Sequence, residues 1–307
     1  MKYKFILIIF LIFFNIQPIF TKIYENELHL IEKIKFEELD AIQGLEFIKI
    51  DNQEYLIVAN GYKNSIAVLK DLKIFSLVKV PNLTNEDHRP ELFADVTFDG
   101  NSIFATSWRN GIVYSFDLNL KNKKEFFSYQ RNFLGINFQN NKFFVAQDKT
   151  HEILLINNSG ELIWKKQYLI NDQVLTHPYG ISYYDGLTYI SFNRGYIIAV
   201  NESGDVIKSY LSRFEEIGKK ITNLQSIVHD ANGNLLALDT SNNRIIIFNN
   251  QLEPRAVLKY DGFTSPRGMT IDKKNNKLFV SDFFNKNIHI EQNTGIFIFD
   301  LNKSFYE

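Results

Sequence analysis

Six side chains of this 307-residue chain could do chemistry together: Trp108, Arg109, His177, Tyr179, Arg194 and Arg267. A guanidinium is a planar fork that fits a carboxylate or a phosphate, and flat aromatic rings make a stacking floor for a sugar or a peptide. Gathered at one place they describe a binding mouth for a protein segment, a glycan or a small anionic ligand. His177 titrates near neutral pH and could serve alone as a general acid or base. No set of residues reads as catalytic, and the expectation is no metal and no cofactor. The chain has no cysteine, which removes thiolate chemistry and cysteine metal sites. The candidates for a three-imidazole zinc site are His88, His177 and His229, which hold different places in the pattern below. Asp239 and Asp282 each close a strand, where a carboxylate ties the following turn to the backbone.

These residues are positioned by a repeat. Leu224–Phe248 (LQSIVHDANGNLLALDTSNNRIIIF) and Pro266–His289 (PRGMTIDKKNNKLFVSDFFNKNIH) share one layout. A small residue opens an apolar strand, and an Asn/Asp/Gly/Lys turn leads to a second strand ending in Asp. A polar turn and a third strand follow. Small residues that can open an innermost strand stand at Gly44, Ala94, Gly135, Gly180, Ser226 and Gly268, spaced by 50, 41, 45, 46 and 42 residues. A second column, closing each second strand, holds Asn60, Ser107, Gln147, Asn193, Asp239 and Asp282. Several strands per unit at this period predict an all-β, six-bladed β-propeller with four-stranded antiparallel blades. Leu301–Glu307 is too short to finish the last blade, so Leu28–Phe36 (LHLIEKIKF) is expected to supply its outer strand and close the ring. Closure hides two sheet edges that would otherwise be exposed.

Pro266-Arg267-Gly268, Val280-Ser281-Asp282, and Leu238-Asp239 with Asn243-Arg244-Ile245 resemble the NHL-repeat family of six-bladed propellers, over about residues 40–300. The resemblance extends to the lactonase- and amidating-lyase-like propeller superfamily. It implies a ligand site where loops entering the first strands and leaving the second strands share one face. The residues before the six small positions are Gln43, Phe93, Leu134, Tyr179, Gln225 and Arg267. Gluconolactonase-type relatives hold a divalent cation with carboxylate and amide oxygens at such positions. This column has no carboxylate, and a hard cation needs several oxygen ligands. The resemblance therefore favours a binding or protein-interaction module, with a lactonase- or lyase-like hydrolytic enzyme of divergent site as the alternative.

A net charge of −1 gives no overall pull toward nucleic acid or anionic lipid, and no nucleic-acid partner is expected. Residues 1–21 read as a secretory signal: Lys2 and Lys4, the apolar run Phe5–Phe14, then Asn15, Gln17 and Pro18. The mature domain is then 22–307, a monomer in the periplasm or secreted, in contact with a membrane only if the leader is not cleaved.

Overall fold

The computed structural model describes residues 24–39, 41–80, 92–211, 220–283 and 295–302. The leader segment and His88 lie outside the described residues. No helix among the described residues is long and apolar enough to cross a membrane.

Six antiparallel four-stranded sheets form the blades of a propeller. Blade 1 runs from Ile42–Ile50 at the axis to Lys73–Lys79 outside, and blade 2 from Phe93–Phe98 to Lys124–Ser128. Blade 3 begins at Phe133–Gln139, blade 4 at Pro178–Tyr184, blade 5 at Leu224–His229 and blade 6 at Pro266–Asp272. The outer strand of blade 6 is His29–Ile34, antiparallel to Gly295–Asp300, so the N-terminal stretch closes the ring as expected. The structure adds one feature. Tyr24–Glu27 pairs in parallel with Pro254–Lys259 and gives blade 5 a fifth strand. The same short segment thus clasps two neighbouring blades.

The core is distributed among six wedges, one between each pair of neighbouring blades. Between blades 1 and 2, for example, Ile57, Ala59, Ile66 and Val68 pack on Phe93, Ala105, Tyr114 and Phe116. Blades 4 and 5 meet through Tyr189, Ile197, Ala237, Ile246 and Phe248. Strands buried on both faces explain the continuous apolar runs and the heavy use of aromatic residues, which bury large areas against a pleated surface. Where the innermost strands converge, a side chain does not fit. A Cβ on Gly135 would strike the carbonyl oxygen of Tyr179, and one on Gly268 would strike that of Gln43. That steric limit is why glycine stands at this place in four of the six inner strands, as Gly44, Gly135, Gly180 and Gly268.

Strand register refines both columns. Every first strand carries a bulge after its opening residue. In blade 2 the residue aligned with Gly44 and Gly268 is Asp95, not Ala94, because Phe93 pairs with Ser107 and Asp95 with Thr106. Phe93 is fully buried in a wedge, so Ala94 takes its expected place beside the axis. In blade 4 the second-strand column holds Phe192, which pairs with Pro178, and Asn193 lies one residue beyond. Asn60, Gln147, Asp239 and Asp282 tie turns as their chemistry suggests, whereas the buried Ser107 hydroxyl does not. Asn60 Oδ1 accepts from Ala41 N at 3.0 Å, and Asp282 accepts from Thr264 N and Ser265 N, each at 2.6 Å.

Candidate functional site

The inner strands enclose a cavity of about 660 Å³ along the propeller axis, with residues from all six blades in its wall. One hydrogen bond recurs in every blade and builds its mouth. The amide of the residue after the second strand donates to the carbonyl of the residue before the first. The pairs are Gly61–Ala41, Trp108–Leu92, Asp148–Asn132, Asn193–His177, Thr240–Asn223 and Phe283–Ser265. This stitch brings the two loops of each blade to one face, where Trp108 and Asp148 reach the cavity wall.

Of the six residues expected at the mouth, Trp108, Tyr179 and Arg267 line the cavity, whereas Arg109, His177 and Arg194 are not part of its wall. Arg194 is exposed on a turn with φ 62°. Arg267 is held in place: its Nη1 donates to Gln225 Oε1 at 2.9 Å and its guanidinium lies 5.3 Å from the centre of the Phe283 ring. Burial raises the pKa of Tyr179; the Asp148 charge raises it further and the Arg267 charge opposes this. Tyr179 therefore stands within electrostatic reach of both Asp148 and Arg267. His177 sits behind Asp148, with Nδ1 2.5 Å from its Oδ1.

The wall also carries carboxylates that the column read from the sequence lacked. Glu46 and Asp95 both line the cavity, as do Lys273 and His229. Asp95 fits at the crowded axis because its neighbour Gly44 has no side chain; a Cβ there would run into Asp95 Oδ1. Its Oδ2 accepts from Ile136 N at 3.1 Å, which links blade 2 to blade 3. Burial pushes Glu46 up to about 8, the neighbouring Asp95 charge adds to this, and Lys273 pulls it back. Burial likewise pushes Asp95 up to about 7, against the backbone amides of Ile136 and Val96. Both carboxyls thus change charge near neutrality, the property that lets a group in a cleft transfer protons. The sequence signal for Asp95 was its adjacency to a small residue, hidden by the one-residue difference in register.

These two groups set a pH dependence. Unfolded, they titrate near about 4. The folded chain therefore holds extra protons between about pH 4 and pH 8, and the associated stability is full at the acid end and lost as pH rises through that range. Glu46→Gln should flatten the decline: at about pH 5 it should unfold near the wild-type temperature, and at about pH 9 a few degrees above it. Thermal unfolding followed across that range checks this; parallel curves for the two proteins would contradict it.

The remaining candidates are structural. His229 is sandwiched between Tyr184, at 5.0 Å, and Tyr189, at 4.5 Å, and its Nδ1 lies 2.9 Å from Ser182 Oγ. Burial, then the charges of Lys273 and Lys208, lower it to about 3, so it is a neutral ring at ordinary pH. Asp239 accepts from Arg244 Nε at 2.9 Å and from Asn242 Nδ2 at 2.7 Å, a closed turn. A different group does gather donors. Asp148, His151 and His177 place one ligand atom each within 4.8 Å of one another.

No family model matches the chain, and no curated protein matches it. Solved structures do. Virginiamycin B lyase from Staphylococcus aureus is 14% identical, covering 84% of this chain and 85% of its own, with a TM-score of 0.58. A streptogramin B lyase structure is 13% identical, with coverage of 88% and 86% and a TM-score of 0.60. The WD40 β-propeller domain of Doa1 is 13% identical, with coverage of 88% and 96% and a TM-score of 0.59. Likeness at that identity carries fold and nothing finer: the chain is a six-bladed β-propeller.

Proposed function

We propose that this protein is an exported, NHL-like propeller that binds a small ligand bearing an anionic group at the mouth of its central channel. The observation that carries the reading is the cavity of about 660 Å³ lined by Trp108, Tyr179 and Arg267, which reach it from blades 2, 4 and 6. Its volume suits a small molecule, and its mixture of rings with a few convergent polar groups is the usual make-up of such a site. Arg267 supplies the fork for a carboxylate or phosphate, and Gln225 and Phe283 hold that fork in orientation. Export rests on the basic start and apolar run of residues 1–21; N-terminal sequencing of envelope-fraction protein should begin near Lys22, and an intact cytosolic chain would count against it.

The chain has two tryptophans. Trp164 packs on Phe144 in blade 3, outside the cavity wall, so Trp164→Phe leaves Trp108 as the sole channel reporter. In that background a panel of small carboxylates, phosphates and sugars should include members that change Trp108 emission saturably. Arg267→Ala should weaken the anionic members by roughly 1–3 kcal/mol, the worth of a charge-assisted hydrogen bond, while sparing neutral sugars. Equal affinity of wild type and variant for every anion would remove Arg267 from the site.

A second reading, a hydrolase or lyase, draws on Glu46 and Asp95, whose carboxyls titrate at about 8 and about 7 in the same cavity. Turnover of a bound ligand, lost in Asp95→Asn with binding retained, distinguishes it from binding alone.

A further inference from the structure

We propose that Asp148, His151 and His177 bind one divalent transition-metal ion of the zinc class at the rim of the channel. Their donor atoms already lie within 4.8 Å of one another, in a group shared by two neighbouring blades. Two imidazoles and one carboxylate are the protein ligands of open, three-ligand zinc sites, whose fourth position takes water or a ligand. Nitrogen donors favour zinc and its neighbours over calcium or magnesium, which seek oxygen. Neighbouring donors around tetrahedral zinc stand about 3.3 Å apart, given metal–ligand bonds of about 2.0–2.1 Å. The group needs side-chain adjustments of about an ångström to reach that spacing, and the exposed edge of His177, 42% accessible, leaves room for them.

The turn of blade 3 does not depend on the Asp148 carboxylate, while His151 Nδ1 accepts from His177 N at 3.3 Å and so already brings the two loops together. The turn after the second strand of blade 3 is closed by Gln147, whose Oε1 accepts from Thr150 N at 2.6 Å and Thr150 Oγ1 at 2.7 Å. Asp148 is the next residue, and its carboxylate points to His177 rather than to the turn. His151 occupies, at φ 58°, the left-handed position just before a third strand. Other blades fill that position with Asn64, Gly111, Gly195 and Asn243, residue types that adopt such a backbone readily. His177 also has a left-handed backbone, φ 53°. Two histidines in left-handed conformations, ring centres 4.9 Å apart, are an observed strain of the kind that collects at functional sites. Asp148 lines the cavity, which places the group at the channel's rim. This runs against the expectation of no metal. Sequence columns could not reveal the group, because it is assembled from a turn of one blade and the entry loop of the next.

The test is metal titration of the purified full-length protein, first stripped with chelator, using zinc and cobalt ions alone. The expected result is one equivalent of saturable binding by each, visible bands of low-coordinate cobalt, and no displacement by calcium. His151→Asn installs the residue that blades 1 and 5 use at this backbone position, so the fold is retained. Both His151→Asn and Asp148→Asn should lose at least about tenfold in affinity, since even removal of a residue behind a ligand costs that much. His29→Asn, on the outer strand of blade 6, should bind as wild type does. No saturable uptake of either ion by the wild type, or an unchanged affinity in His151→Asn, would overturn the proposal.

Discussion

A chain lacking residues 24–36 is expected to lose its cooperative unfolding transition, or to unfold with at least about 5 kcal/mol less stability, the lower end of what a whole domain possesses. The deletion removes two strands from two blades. Leu28, only 5% exposed, and Leu30 pack in the wedge between blades 5 and 6, and Ile34 and Phe36 pack in the wedge between blades 6 and 1. A fully buried leucine alone contributes about 1.5–3 kcal/mol. The loss also uncovers the edge of Gly295–Asp300 and breaks a ring whose blades otherwise support one another on both sides. Chemical unfolding followed by circular dichroism checks this. A deletion variant with the wild-type midpoint would mean that the ring holds without its clasp.

The second large effect lies inside blade 5. Arg244 and Asp239 form an ion pair with side chains 3% and 0% exposed. Removing one member of such a pair leaves the other buried without compensation, at a cost of about 3–5 kcal/mol. Arg244→Ala should therefore lower stability by that amount. Asp239→Asn in the same chain should recover part of it, because a neutral amide can still accept from Asn242. The order of the urea midpoints, wild type above double variant above Arg244→Ala, is the readout. A double variant no more stable than the single one would show that the charge of Asp239 is not what makes the loss large.

The ring and its closure were legible because they rest on steric demands that repeat. Gly135, Gly180 and Gly268 are required wherever inner strands nearly touch, and Leu28–Phe36 was the stretch left to complete blade 6. The parallel strand Tyr24–Glu27 was not legible, since it is a mostly exposed edge with no apolar pattern of its own. The channel wall was harder still. Phe93 and Asp95 are two positions apart, which in a regular strand would put them on one face; the bulge between them breaks the alternation and turns one to a wedge and the other to the axis. Arg109 and Arg194 were matched by type and loop, yet side-chain direction at a turn depends on backbone dihedrals; Arg194, at φ 62°, is one such case. Asp148 and His151 offered only a short spacing, which acquires meaning once blade 4 brings His177 against it.

The measurement that bears most directly on the central claim is crystallographic location of bound fragments. Crystals of the protein soaked in small carboxylates, phosphates and sugars should show density in the axial cavity, with an anionic group at Arg267 and a ring or apolar face against Trp108 or Tyr179. Fragments found only on the outer surfaces of the blades, with the cavity holding solvent alone under the same soaks, would contradict a channel-binding propeller.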